Sequence, residues 1–294
     1  MKRLLAIACM AAACAPAAVP TPPAAGPAPV TVDTPPAVTP APAPLTTSGA
    51  VRFGPGALRY AVHQHVRMEH DRIDMPPLSQ LGWTTFVATT VTGPAEAAGY
   101  PTIFTVDSIR PDSGVSLPPW INVGLARGLR FVGHLAPTGE FIGGRASDSL
   151  AAENLAMLVG RFQNFYPRIP ATGVNVGDLW TDTLTLVERA SGRSSTRRTV
   201  RRVHAAAWED TPTGRVLRLD VSEQYELDER GSGGGQPFEA KGSGVSASVE
   251  RVGAGGRYLG AYAKDSSNLT ITLTAQGLTI PRRQVTTTTV TVLP

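Results

Sequence analysis

Two histidines spaced two residues apart, His63 and His65, are the residues best placed to do chemistry in this sequence. Four more potential metal ligands follow them: Glu69, His70, Asp71 and Asp74. Side chains two apart on a strand point to one face, so both imidazoles could bind one metal ion and a carboxylate could complete the site. The competing interpretation places both histidines on the polar face of an amphipathic strand. We favour that interpretation, because Arg67 continues the same face and would repel a cation.

Nucleophile and phosphate-binding motifs are absent from the sequence. It contains no G-x-S-x-G, no S-x-x-K, no Walker A motif and no complete G-x-G-x-x-G. Both cysteines, Cys9 and Cys14, lie within the first fourteen residues, so the folded part has no thiol. His134 and His204 stand alone and are expected to be ordinary histidines. The sequence therefore predicts no catalytic residue and no cofactor.

A basic run and an acidic run are the other charged features. The basic run consists of Arg197, Arg198, Arg201 and Arg202, and the acidic run of Glu223, Glu226, Asp228 and Glu229. On neighbouring strands these charges would pair with each other. A site for an anionic lipid headgroup or polysaccharide, and a glycosidase carboxylate pair, are the less favoured alternatives.

The net charge gives no support for nucleic-acid binding. The chain has 27 Lys and Arg against 23 Asp and Glu, a formal charge of +4. Without Lys2 and Arg3, which lie in a segment predicted to be removed, the balance is 25 − 23 = +2. A nucleic-acid-binding protein usually carries a concentrated basic surface, so we expect no nucleic-acid partner.

The first fourteen residues resemble the signal peptide of a bacterial lipoprotein. Lys2 and Arg3 precede an apolar stretch over residues 4–12, which is too short to span a bilayer. Three small residues then lead to Cys14. We predict cleavage between Ala13 and Cys14 and acylation, including palmitate, of Cys14. Cys9 is the rival lipidation site, and an ordinary secretory signal is the other alternative.

A proline-rich tether is predicted to join this anchor to the folded domain. Residues 14–49 contain eleven prolines between Pro16 and Pro44, with Asp33 as the sole charge. Such a segment cannot bury enough apolar surface to fold, and its prolines favour extended polyproline II. By resemblance to enterobacterial lipoproteins, Ala15 after the cysteine implies sorting to the outer membrane, facing either the periplasm or the cell surface.

Residues 50–294 are predicted to form a mainly β domain, with possible halves 50–166 and 167–294. Apolar and polar residues alternate over residues 58–69, and strand-like stretches separated by Gly and Pro turns continue to the C-terminus. One helix is expected over residues 147–166, capped by Ser147 or Asp148 and ended by Pro167. Short turns between long strands favour an antiparallel sheet. We predict a half-barrel or sandwich with the helix packed on it.

A short element at residues 174–180 carries a resemblance to known proteins. Its sequence is Val-Asn-Val-Gly-Asp-Leu-Trp, and this V-x-V-G-D-x-W pattern resembles an element of uncharacterised envelope lipoproteins of diderm bacteria. The resemblance covers residues 58–291 and implies no known activity. More loosely, the predicted architecture resembles the half-barrels of periplasmic lipoprotein carriers. Physically, Gly177 permits a left-handed turn, Asp178 can accept backbone hydrogen bonds and Trp180 can anchor in the core.

The sequence supports three functions. The favoured one is a non-catalytic structural or interaction domain of an envelope lipoprotein, held at the membrane by its lipid and binding an envelope protein. The second is a binding or carrier module for an apolar ligand such as a lipid. It predicts an apolar cavity of about several hundred Å³ beneath the helix. The third is a metal-dependent enzyme at His63 and His65.

Overall fold

A computed structural model describes residues 50–70, 78–160, 162–190, 193–212, 214–233 and 236–294. Residues Ala50–Pro294 form one compact unit. The predicted cleavage site, the candidate lipidation sites Cys14 and Cys9, and the predicted tether lie outside the described residues. Among the residues that are described, no helix is long and apolar enough to cross a bilayer.

Eleven strands dominate the domain. In chain order they are β1 Leu58–His70, β2 Leu78–Val91, β3 Tyr100–Pro111, β4 Leu129–Leu135, β5 Phe141–Ala146, β6 Leu179–Ala190, β7 Arg193–Thr211, β8 Gly214–Gly233, β9 Gln236–Gly253, β10 Tyr258–Leu273 and β11 Leu278–Leu293. The helices are short: a 3-10 helix at Val123–Ala126, α1 at Ser149–Asn154 and α2 at Ala156–Val159.

All eleven strands belong to one antiparallel sheet in the order β5-β4-β3-β2-β1-β11-β10-β9-β8-β7-β6. The last strand, β11, pairs with the first, β1, from Arg59 opposite Leu293 to His70 opposite Arg282. That pairing joins two meanders, and it leaves β5 and β6 as the edges. The predicted class, mainly β with long antiparallel strands and a packed helix, is confirmed.

The two faces of the sheet follow from the alternation of side chains. Along β7, Thr199, Arg201, Val203 and Ala205 are buried while the residues between them are exposed. We call the face that carries these residues the inner face and the opposite one the outer face. The period of two fixes which residues share a face across every paired strand.

The helical region differs from the sequence prediction of one helix over residues 147–166. Asp148 caps α1, accepting a hydrogen bond from the Ala151 N–H at 3.0 Å, as predicted. Helical structure ends at Val159, because Gly160 has a φ of 67° and Phe162 a φ of 58°. These left-handed residues turn the chain back over the sheet, and Phe162 stacks on Phe104 with 4.6 Å between ring centroids. A hydrophobic spacing alone does not encode that turn.

One long strand continues through a polar stretch of sequence. β10 runs unbroken from Tyr258 to Leu273, although residues 264–268 are all polar or charged. It pairs with β9 on one side and β11 on the other across that whole stretch. Backbone hydrogen bonds to strands on both sides hold these polar residues in an extended conformation.

The element at residues 174–180 forms the turn that leads into β6. Gly177 has a φ of 89°, which only glycine adopts readily. Asp178 accepts a hydrogen bond from the Asn175 N–H at 2.7 Å. Val174 is buried and bridges to Val51, and Trp180 packs against the core. The physical roles assigned to Gly177, Asp178 and Trp180 are therefore confirmed.

Candidate functional site

The two candidate metal-binding histidines lie on the outer face of β1. The Nε2 atom of His63 is 3.0 Å from an oxygen of Asp112, which follows β3. Gly82 of β2 makes this contact possible, since a Cβ there would lie 2.0 Å from the Asp112 carboxylate. Residues 71–77, with the candidate ligands Asp71 and Asp74, lie outside the described residues. Within the described ranges, no group of three or more His, Cys, Asp and Glu side chains is arranged to hold a metal ion.

The basic run is divided between the two faces of β7. Arg197 and Arg201 point inward, whereas Arg198 and Arg202 are exposed on the outer face. Arg201 lies opposite Glu223 of β8, with 3.4 Å between Nε and the carboxylate. The prediction that the two charged runs pair across neighbouring strands is confirmed at this pair.

Arg201 is the buried centre of a partly buried group of charges that we call the ionic cluster. Its members are Arg197, Arg201, Glu223, Tyr225, Glu250 and Asp265. The Arg201 side chain is 6% exposed, and its Nη2 lies 2.6 Å from a Glu250 oxygen. Arg197 lies over the Tyr225 ring at 3.7 Å from the centroid, and the Tyr225 hydroxyl donates a 2.8 Å hydrogen bond to Asp265. Four strands, β7 to β10, supply these side chains.

Burial changes the acid–base properties of the ionic cluster. Loss of solvent raises the pKa of Glu223, although Arg201 acts in the opposite direction. Burial likewise raises the pKa of Asp265, and it raises the pKa of Tyr225 to about 12. The cluster is a network in which two guanidinium groups contact three carboxylates. A lining of desolvated charges is unfavourable for an acyl chain.

The other half of the inner face, beneath α1 and α2, is apolar and filled. Nine aromatic rings pack in one connected group there, belonging to Phe53, Tyr60, Phe104, Phe131, Phe141, Phe162, Phe165, Tyr166 and Tyr258. Tyr60, Phe104 and Leu155 have no exposed surface. The Trp83 indole N–H donates to the Leu158 carbonyl at 3.1 Å and ties α2 to β2. These rings occupy the place of the predicted apolar cavity.

An open groove of about 640 Å³ crosses the outer face from β6 to β9. Two rows of side chains in register flank it. One row is Leu179, His204, Asp220 and Val249, and the other is Thr181, Arg202, Ser222 and Ala247. Asp220 accepts two 2.9 Å hydrogen bonds from Arg218, which lower its pKa. The small side chains of Ser222 and Ala247 leave the space open.

A second cavity of about 470 Å³ lies at the seam between the two edge strands. Residues 140–143, which include the start of β5, line one side and residues 183–187 of β6 line the other. Consecutive residues on both sides mean that the backbone edges themselves face the cavity. Arg168, bonded to Glu140 at 2.9 Å, lies at its margin. We call this cavity the seam.

Sequence reasoning missed the seam and half of the ionic cluster. The two charged runs of the sequence contain Arg197, Arg201 and Glu223, but not Tyr225, Glu250 or Asp265. Asp265 reaches Arg197 and Tyr225 from β10, two strands away from β8, and no short-range signal points to it. The seam depends on strand order, because β5 and β6 meet only when the whole sheet is assembled.

No protein-family model matches the chain, and no curated protein matches it. The resemblance at residues 174–180 therefore remains a prediction, and the function has to be argued from the surfaces described above.

Proposed function

We propose that this protein is a non-catalytic interaction domain of a bacterial envelope lipoprotein, anchored through Cys14, which binds an extended segment of an envelope protein at the seam. The observation that carries the proposal is the seam itself. Two strand edges face one cavity there, and β5 and β6 each have a single neighbour in the sheet. Unpaired strand edges are templates for another strand.

The direction of the strands fits the addition of one further strand. The sheet is antiparallel throughout and has an odd number of strands, so its two edge strands run the same way. One added strand can therefore be antiparallel to both and hydrogen-bond on both sides. The wall of β5 contains Gly143 and Gly144, which leave its backbone accessible, and Ile142 beside them is 41% exposed.

The filled interior also supports an interaction role over a carrier role. The space beneath the helices holds packed rings, and the charges deeper along the inner face are paired with each other. In the part of the chain that the structure describes, packed rings fill one half and paired charges line the other, and both features disfavour the apolar cavity that lipid carriage requires.

Carriage of an apolar ligand is the second candidate, and one observation favours it. Beyond the ionic cluster, partly exposed apolar side chains gather on the inner face: Leu227, Phe238, Leu269, Ile271, Leu273 and Ile280. Such a patch could bind the end of an apolar ligand that enters from the end of the sheet opposite the helices. The ionic cluster separates it from the helix-covered core.

The test is co-purification from gently solubilised membranes, comparing the full parent chain with a variant that carries a charged residue in the seam. Ile142→Arg should lose the partner, since a guanidinium at the wall blocks an incoming strand. Val132→Arg is the matched control, because Val132 is 49% exposed on the adjacent β4 and lies outside the seam lining. It should retain the partner. If both variants retain the partner equally, the seam is not the site that binds it.

A further inference from the structure

The strands on both sides of the seam carry exposed arginines on their outer face. Four of them belong to β4, β5 and β7, and β7 is the neighbour of β6: Arg130, Arg145, Arg198 and Arg202. The register fixes their face, because Arg145 lies opposite the exposed Val132 and Arg198 lies opposite the exposed Thr185. Thr185 itself lines the seam, so Arg198 is one strand away from it.

Acidic residues are missing from the same strands around the seam. β4 and β5 contain no aspartate or glutamate, and neither does β7 from residue 193 to residue 208. The exposed positions of β6 that line the seam, Thr183, Thr185 and Val187, are uncharged. Within the described part of the chain, none of the four arginines forms an ion pair with a carboxylate. The outer rim of the seam is therefore positive.

The carboxylates closest in the fold are engaged elsewhere or stand apart from these arginines. Glu96, in the loop before β3, contacts Nε2 of His134 at 3.1 Å. Glu140 is the one carboxylate among the described residues that line the seam, and it bonds to Arg168 at 2.9 Å. Glu226 of β8 lies opposite Arg198 in the register without an ion pair between them. A ligand that supplies carboxylates would therefore meet guanidinium groups that have no competing partner.

Two apolar side chains share the outer face with the arginines. Ile142 on β5 is 41% exposed and Val187 on β6 is 50% exposed, and both line the seam. Successive side chains of a strand alternate between its faces, so every second residue of a bound segment would lie on this outer face. One of those residues would contact Ile142 and Val187, and the residues beyond it would approach the arginines.

We propose that the segment bound at the seam is acidic, with aspartate or glutamate at alternate positions on either side of an apolar residue. Its carboxylates would pair with Arg145 on one side of the seam and with Arg198 on the other. This inference rests on the proposed function, because it names the chemistry of the segment that the seam binds. Complementary charges at the rim of an interface speed association and select one partner over others.

The experiment repeats the co-purification from gently solubilised membranes with the rim charges removed from the full chain. Arg145→Gln combined with Arg198→Gln should lower the amount of retained partner about tenfold. The matched control, Lys264→Gln combined with Arg283→Gln, removes the same charge from exposed positions on β10 and β11. It should retain the partner as the parent chain does. Raised salt should release the partner from the parent chain, because it screens exposed charges.

The outcomes separate this inference from the proposed function. If Ile142→Arg loses the partner but the test pair keeps it, the segment is not acidic and only the inference is wrong. Equal losses in the test pair and the control pair would show a general attraction and overturn the inference as well. If Ile142→Arg keeps the partner, or an anionic polysaccharide is recovered in place of a protein, both fail. Circular dichroism should show that both double variants are folded, as expected for exposed positions.

Discussion

The two halves of the inner face belong to one sheet but bury their side chains in different ways. Beneath the helices, aromatic rings such as Phe104 are buried without charge. Farther along β7 to β10, Arg201 is buried just as deeply and needs Glu223 and Glu250 beside it. We expect the apolar half to stabilise the fold through burial, and we infer that the ionic half favours one arrangement of the strands at little net gain in stability.

Phe104→Ala should give the largest loss of stability. Phe104 has no exposed surface and contacts the rings of Phe141, Phe162, Phe165 and Tyr166. Its removal leaves a cavity, and we expect a loss of about 4–5 kcal/mol in the free energy of unfolding, measured in urea. The loss should be the same at pH 5 and pH 7. Phe86→Ala on the outer face should lose less than half as much, and an equal loss would contradict the comparison.

Arg201→Met should give the second-largest loss of stability, about 3 kcal/mol in the free energy of unfolding near neutral pH. The reason is that it leaves Glu223 and Glu250 buried without their cation. The loss should shrink on acidification, since protonation of Glu223 removes one of the unpaired charges. Arg202→Met is the neighbouring control on the outer face and should change stability by less than about 0.5 kcal/mol. A pH-independent loss for Arg201→Met would show that its role is packing alone.

Glu223→Gln should have the smallest effect on stability, and it should stabilise the protein rather than destabilise it. The folded pKa of Glu223 is raised, so its ionisation opposes folding. The contribution of protonated Glu223 to stability is complete below its unfolded pKa of about 4.3. That contribution is lost as the pH rises through the raised pKa of the folded state. Glu223→Gln should therefore gain up to about 1 kcal/mol over the parent at pH 7, and the gain should vanish near pH 4. Glu226→Gln, on the outer face, should show neither change.

Much of the fold could be predicted because strand alternation is local information. The polar and apolar sides of β1 and β7 follow from a period of two, and the Gly177 turn follows from its neighbours. The single long helix was wrong because the left-handed Phe162 depends on a ring-stacking partner, Phe104, far away in sequence. The ionic cluster and the seam depend on strand order, which brings together residues tens of positions apart in the chain, such as Arg201 and Glu250.

The most direct test of the account is native mass spectrometry of the full chain extracted gently from its own membranes. We predict a Cys14-acylated chain in complex with a second protein, with no additional lipid held non-covalently, and loss of that complex in Ile142→Arg but not in Val132→Arg. A monomer that carries a non-covalent lipid, unchanged by Ile142→Arg, would contradict the interaction role and establish the carrier role in its place.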